Sequence, residues 1–400
     1  MPDVLAPSQQ QSVLTINGGS SSIKFAAFDP GEPPRRSLSG QVERIGQPGT
    51  LLKATLGERQ LDPLSIDAAN HRQAAERLID WIGKSIGKNA IFGIGHRVVH
   101  GGIHLADHQL VTDELVAELR RTQPLDLAHL PREIALIEAF GEHFPGTPQV
   151  ACFDTAFHRD MPRVARLLPI PRRYDQAGLR RFGFHGLSYA YLMQALRTTA
   201  GEGAAGGKIV LAHLGSGASM AAVSGGKPVD TTMAFTPLAG LVMGTRPGDI
   251  DPGLLVYLMR VEKMTPEQMD DFLSHDCGLQ GVSDTSSDMR DLTSRRGADV
   301  RAAEAVDLFC YRARQWIGAL AAAMGGLDTL VFSGGIGEHA ADIRAQICQG
   351  MEFLGLRIDP ARNADNAPVI SPEGERASVR VIPTDEEIMI ARAVLRIVRG

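Results

Sequence analysis

The sequence predicts an α/β protein built from two similar domains. Its 400 residues exceed what a single hydrophobic core usually covers. Strand and helix patterns alternate along much of the chain. A strand, small polar turn, strand pattern near the N-terminus returns after almost half the chain: Asn17 falls on His213 and Gly19-Ser20 on Gly215-Ser216, an offset of 196 residues from Ser20 to Ser216. A repeat that long points to duplication of a domain rather than a solenoid unit.

In chain order, "VLTI" and "KFAAFD" read as a hairpin around the turn in "INGGSSSIKF", and "RSLSGQVERIG" and "LKATLG" as further antiparallel strands. "NHRQAAERLIDWIGKSI" carries apolar residues at helical spacing, "IFGIGHRVVHGG" is a buried strand entering a glycine turn, and "PREIALIEAFGEHF" is a second helix. After "PQVACFDTAFH" and the arginine-rich "PRRYDQAGLRRFGFHG", the segment "GKIVLAHLGSGASMAAVSGGKPVDTT" repeats the opening hairpin. The apolar strand "LDTLVF" then runs into a third glycine turn, "SGGIGEHAADIRAQICQG", and "EEIMIARAVLRIVRG" is a closing helix. The expected domains are 1–154 with 387–400, and 155–386.

Composition narrows the function. A formal net charge of −5 provides no basic excess for nucleic acid or an anionic membrane, so small molecules are the expected partners. The four cysteines, Cys152, Cys277, Cys310 and Cys348, form no C-x-x-C pair, which suits a reducing cytoplasm and neither a zinc site nor a disulfide framework. No stretch of about 18 apolar residues occurs, and the first twelve residues read as a loose tail rather than a targeting segment.

The two hairpin tips are stripped of side-chain bulk. Backbone N–H groups at such tips can converge on an anion, and two tips facing one cleft would hold a polyphosphate from both sides. Either turn alone is an ordinary surface turn; their pairing at half-chain spacing favours function. In the third cluster Gly335, Ile336, Gly337 and Ala340 match a loose dinucleotide fingerprint with Asp359 downstream, which admits a NAD-dependent dehydrogenase as a competing reading. A strand-to-helix turn serves equally well beneath ATP phosphates or ribose.

"INGGSSSIKF" resembles the N-terminal signature of the acetate kinases, and "RRFGFHGLSYAYL" is similar to their second signature. "GHRVVHGG", "FDTAFH", "TPLAGLVMGTRPGDIDPG", "SSDMRDL", "GGIGE" and "IPTDEEIMIA" match further family blocks in order, over essentially the whole chain. The resemblance implies a duplicated actin-like, ribonuclease H-like ATPase fold with two domains around a central cleft, a homodimer, and reversible Mg2+-dependent phosphoryl transfer between ATP and acetate or propionate. Mg2+ is the expected ion, with Mn2+ as an alternative. A propionate-preferring kinase competes with this reading, as does a chaperone-like or regulatory ATPase of the same superfamily.

The same resemblance assigns roles. Asn17 and Glu386 would attend the metal, with Glu387 as the substitute carboxylate, and Lys24 would neutralise phosphate; Ser20 and Ser22 share that tip. Arg97, Asp154, His185 and Arg246 would be catalytic, the arginines as planar forks for carboxylate and phosphoryl oxygens. Asp154 has no proton to remove, because a short carboxylic acid is ionised at pH 7; it is expected to hold an arginine or metal-bound water in register. Val99, Ala128, His129, Phe184 and Pro237, with Arg97, would bind the acid. His213, Leu214, Gly215, Ser216, Gly217, Asp288, Met289, Arg290, Gly335, Ile336, Gly337, Glu338 and His339, with Lys24, would bind ATP. Taken singly, an aspartate and arginine beside serines can equally be a helix start. The chain departs from the usual family residues at Ala128, Leu130, Tyr189, Ser216 and His339, which leaves the reaction class in place and puts acyl preference and rate in question.

Overall fold

A computed structural model describes residues 11–19 and 21–400. Ser20 and the first ten residues of the tail lie outside the described residues. The chain divides into two compact units, Met1–Ala156 with Asp385–Gly400, and Phe157–Thr384. The return to the first unit falls at Asp385 because that residue caps the closing helix Glu386–Arg399, its side chain accepting from the Ile388 N–H. Glu386 therefore belongs to the first unit, whereas the boundary expected from the sequence puts it in the second.

Among the described residues nine strands form the first unit's sheet: β1 (Ser12–Gly18), β2 (Ser22–Asp29), β3 (Arg35–Glu43), β4 (Leu51–Leu56), β5 (Arg59–Gln60), β6 (Leu64–Ser65), β7 (Ile91–Val98), β8 (Gln109–Leu110) and β9 (Gln149–Phe153). Its central order is β3-β2-β1-β7-β9, with β1, β2 and β3 antiparallel and β7 and β9 parallel to β1. The second unit's sheet holds β10 (Lys208–Leu214), β11 (Ala218–Ser224), β12 (Lys227–Thr231), β13 (Thr329–Ser333) and β14 (Ser378–Val381). Its order is β12-β11-β10-β13-β14, again three antiparallel strands followed by two parallel ones. The duplication inferred from two turns thus extends to whole sheets, and the actin-like expectation is met.

Strand alternation decides which residues meet. On one face of the first sheet Leu14, Ile16, Ile23, Phe25, Ala27 and Ile94 join a core with the helices His71–Ser85 and Leu130–His143. The opposite face, lined by Asn17, Gly93, Gly95 and Arg97, is covered by the helix Glu386–Arg399, with Lys24 exposed at its edge. Gly93 and Gly95 are the reason it fits: a Cβ on Gly93 would come within 2.7 Å of Val394, and one on Gly95 would overlap Ile390. Two residues beyond Gly95, Arg97 emerges beside the start of that helix.

The second unit repeats the device. Ile209, Leu211, Ala221 and Val223 pack with Tyr189, Leu192 and Leu196 of the helix Gly186–Ala205. His213 and Ser219 continue that face toward the helix start. The helices Gly186–Ala205 and Val300–Met324 add to the elements expected from the sequence; the latter is alanine-rich and buries nine residues.

Candidate active site

In the first unit the functional candidates form one charged group. Arg97 donates from Nε and Nη2 to Asp154 Oδ2 at 3.0 and 2.5 Å, and from Nη1 to Asn17 Oδ1 at 3.2 Å. The Asn17 amide donates to Glu386 Oε2 at 3.1 Å, and that carboxylate lies 3.9 Å from Arg97 Nε. Asp154 follows β9, its N–H bonded to the Val98 carbonyl at 3.0 Å, and its side chain is fully buried. Its second oxygen, Oδ1, has no hydrogen-bond partner among the described residues. Burial drives the Asp154 carboxyl up from the ordinary aspartate range while Arg97 pulls it back. Burial also disfavours the Arg97 charge, but Asp154, Glu386 and Glu133 more than offset it, so the guanidinium stays charged.

Glu133 belongs to none of the motifs in the sequence. Both its oxygens accept from the Val99 N–H, at 3.2 and 3.1 Å, and burial pushes its pKa up to about 8. The available signal was an acid set within the apolar stripe Leu130, Ile134, Ile137 of its helix. Glu386, not Glu387, joins Asn17 and Arg97. Glu387 is pushed upward by burial first and then by Glu386, against Lys24. Lys24 is exposed and stands directly across from Asn17 in the β1–β2 ladder.

Of the acid-binding candidates, Val99, Ala128 and His129 lie in the first unit, and Phe184 and Pro237 in the second. Val99 is buried and Ala128 half-buried. His129 is held by Asp126, whose Oδ1 accepts from its backbone N–H at 3.1 Å and lies 2.9 Å from Nδ1. Leu130 is fully buried among Val98, Leu105 and Leu119.

The second unit gathers two imidazoles and an arginine around the repeated hairpin tip. His185 and His213 stack with ring centroids 4.4 Å apart. His185 Nδ1 lies 2.8 Å from Ser219 Oγ; His213 Nδ1 lies 2.9 Å from Ser188 Oγ, which meets Thr384 Oγ1 at 2.8 Å. Arg246 is anchored through Nη1 to the Pro237 carbonyl at 2.9 Å. Gly217 separates these groups: a Cβ there would sit 2.7 Å from Arg246 Nη2 and 3.6 Å from His185 Nε2. The Gly244 N–H bonds to the Ser216 carbonyl at 2.9 Å, tying the Arg246 loop to the tip.

The third glycine turn abuts the same strand end, since a Cβ on Gly334 (φ +75°) would come within 2.7 Å of the Leu214 carbonyl. Gly335 and His339 are exposed, Ile336 half-buried and Gly337 buried. Glu338 is engaged structurally, accepting from the Gly334 N–H at 2.8 Å and the Thr384 N–H at 3.2 Å. Asp288 caps the helix Met289–Arg295 and pairs with Arg290 at 2.6 Å; Met289 is buried. Arg290 projects into solvent from this helix start. Asp288 is held below the usual carboxylate range by the hydrogen bond from Arg290.

Among the described residues no three His, Cys, Asp or Glu side chains converge as a metal cluster, and no helix is long and apolar enough to cross a membrane. All four cysteines are buried free thiols.

Comparison with known proteins agrees from end to end. The model of the acetokinase family matches residues 12–392. An acetate kinase of Rhodopseudomonas palustris is 42% identical over 394 residues, covering 97% of this chain and 98% of that one. A propionate kinase of Citrobacter rodentium is 44% identical over 393 residues, covering 96% of each. The crystal structure of a propionate kinase from Francisella tularensis superposes with a TM-score of 0.91 at 32% identity, covering 97% of this chain and all of the other.

Proposed function

This chain belongs to the acetokinase family, and from that premise we propose that it transfers the terminal phosphoryl group of ATP reversibly to acetate or propionate, giving ADP and the acyl phosphate. The observation that carries the residue-level reading is the half-buried Arg97 guanidinium held by the fully buried Asp154 and by Asn17. Phosphoryl transfer needs alignment and charge stabilisation more than covalent help. Arg97 engages the acceptor carboxylate, and Arg246 and His185 donate to the migrating phosphoryl oxygens. Asp154 keeps Arg97 in register and moves no proton. Val99, Ala128, His129, Phe184 and Pro237 contact the acid. Lys24, the 213–217 tip, 288–290 and 335–339 serve the nucleotide.

Magnesium fits the donors present. Asn17 and Glu386 offer hard oxygens, and the unpartnered Asp154 Oδ1 offers another, a sparse set of the kind an ion that retains waters and phosphate ligands accepts. When bound, the ion would neutralise charge on the transferring phosphates; Mn2+ takes the same ligands. The third glycine turn is assigned to ATP, the substrate a kinase of this family takes, rather than to a nicotinamide cofactor.

A homodimer is part of the proposal. The helix Pro252–Val261, sequence PGLLVYLMRV, buries none of its residues and exposes Leu254, Val256, Tyr257 and Val261, an apolar face suited to a second copy. Tyr257→Glu should then yield monomer in sedimentation, and a monomeric unmodified protein would refute it. The cytoplasm is the proposed location, matching four unpaired thiols. The test of activity is a hydroxamate assay for acyl phosphate with ATP and Mg2+ across formate to butyrate. ATP hydrolysis without dependence on a carboxylate would point instead to a regulatory ATPase.

A further inference from the structure

Two hydroxyls stand in line behind the His185 imidazole. Ser219 Oγ lies 2.8 Å from His185 Nδ1 and 2.5 Å from the Tyr189 hydroxyl, and Ser219 and Tyr189 are both fully buried. We propose that Tyr189 is a positioning residue whose hydroxyl, acting through Ser219, holds His185 in the tautomer that carries its hydrogen on Nε2. This deepens the assignment of His185 as a donor to phosphoryl oxygen and rests on it.

Ser219 has one hydrogen to give, so the line can run in two directions. In one, Tyr189 donates to Ser219, Ser219 donates to Nδ1, and Nε2 carries the N–H. In the other, Nδ1–H donates to Ser219, Ser219 donates to the phenol oxygen, and Nε2 presents a lone pair. A phenol is a stronger donor and weaker acceptor than an aliphatic alcohol, so the first direction is favoured. It is also the one an anionic phosphoryl group requires, because an Nε2 lone pair would repel it. The partner of one imidazole nitrogen fixes which nitrogen is protonated.

The surrounding packing removes the freedom to reorganise. Tyr189 lies one helical turn after His185, its N–H bonded to the His185 carbonyl at 3.0 Å. Its ring is tilted against Phe157 and edge-on to His158, both with centroids 5.7 Å away. The buried His158 Nε2 contacts the Phe184 carbonyl at 3.0 Å, and burial pushes its pKa down to about 4, so as a neutral ring it donates there. His185 itself is left-handed (φ 59°) at the helix start, and Gly183 (φ +75°) leaves no room for a Cβ, which would meet the His158 ring at 2.6 Å. Tyr189 is one of the positions where the chain departs from the usual family histidine; the tyrosine keeps a donor there.

The test is 15N spectroscopy of the histidine rings in the unmodified full chain, with His185 assigned by its loss in His185→Gln. A protonated Nε2 and bare Nδ1 are expected. Tyr189→Phe should mix the tautomers and lower kcat about 3- to 10-fold, the worth of one hydrogen bond, with KM for ATP and acid within about twofold; Tyr189→His should recover part of the loss. The opposite tautomer in the unmodified protein, or Tyr189→Phe with ring spectrum and kcat both unchanged, overturns the proposal. Should Tyr189→Phe not fold, the unmodified spectrum decides alone. Failure of the underlying assignment looks different: His185→Gln with full turnover removes His185 from the reaction whatever its tautomer.

Discussion

The two units share a central sheet order and a covering helix that starts at the end of the first strand, yet they arm that place with different side chains. At the start of Glu386–Arg399 the first unit sets a permanent cation, Arg97, among Asp154, Asn17 and Glu386. At the start of Gly186–Ala205 the second sets two stacked imidazoles, each backed by a serine hydroxyl, beside a glycine tip. Asn17 and His213 occupy equivalent strand positions. The duplicated scaffold therefore supplies a location, and the side chains there make one copy a buried ion pair and the other a pair of stacked imidazoles beside Arg246. A buried ion pair cannot lose one member cheaply, whereas a glycine tip can tolerate change without unfolding. The two copies should respond differently to comparable substitutions.

The largest effect expected is on the arginines. Arg97→Ala and Arg246→Ala should each lower kcat by roughly 10²-fold or more. Only Arg97→Ala should also cost stability, about 3 kcal/mol, because Asp154 is left buried without its partner. In that variant burial and then Glu386 raise the folded Asp154 pKa with Arg97 no longer opposing them, so the deficit should shrink as pH falls. Urea unfolding of both variants checks this; equal stability losses would erase the contrast, and near-normal turnover in either would remove that arginine from the mechanism.

Glu133 offers a second contrast, visible in the pH dependence of stability. Its folded pKa is about 8, raised by burial above the ordinary glutamate value near 4.5. A raised group contributes stability that is fully present below the unfolded pKa and is lost as pH rises through the folded one. Between those values the slope should approach about 1 kcal/mol lost per pH unit. Glu133→Gln keeps an acceptor for the Val99 N–H and should flatten the decline from pH 5 to 8; an unchanged slope would show that Glu133 is not the titrating group.

A third substitution probes the second unit. Gly217→Ala introduces a Cβ 2.7 Å from Arg246 Nη2 at a position without positive φ. Arg246 must shift, and kcat should fall at least about 10-fold with little change in melting temperature. Loss of stability matching that of Arg97→Ala would mean that the tip is part of the core.

These contrasts also mark what the sequence could disclose. The hairpins were legible because two strands and a tip lie within eighteen residues, Ser12–Asp29 in the first copy, and the 196-residue offset located the second copy. Once β7 was read as a strand, the spacing of Gly93, Gly95 and Arg97 already put them on one face. The partner covering that face was not legible, since Ile390 and Val394 lie almost 300 residues away. Glu133 and the Tyr189–Ser219 pair were illegible for the same reason: their roles consist of contacts to residues 34 and 30 positions distant, which no local pattern encodes. The bond from the Thr384 N–H to Glu338, across 46 positions, was likewise illegible, whereas the Asp288 cap of the adjoining helix could be read locally.

The smallest effect concerns the acid. Ala128, half-buried in the first unit, stands where the family commonly carries leucine, and the fully buried Leu130 is packed among Val98, Leu105 and Leu119 rather than free to fill the lost volume. If Ala128 forms a wall of the acyl site, the shorter side chain leaves room for one more methylene. A matched methylene in a closed apolar pocket is worth about 1 to 3 kcal/mol, and a half-buried wall should realise only part of that. Ala128→Leu is therefore expected to lower the ratio of propionate to acetate kcat/KM by about 5-fold, mostly through the KM for propionate, with acetate turnover and thermal stability little altered. An unchanged ratio between the two acids would show that Ala128 does not shape the pocket. A loss shared equally by both acids would place it beside the carboxylate rather than the alkyl chain.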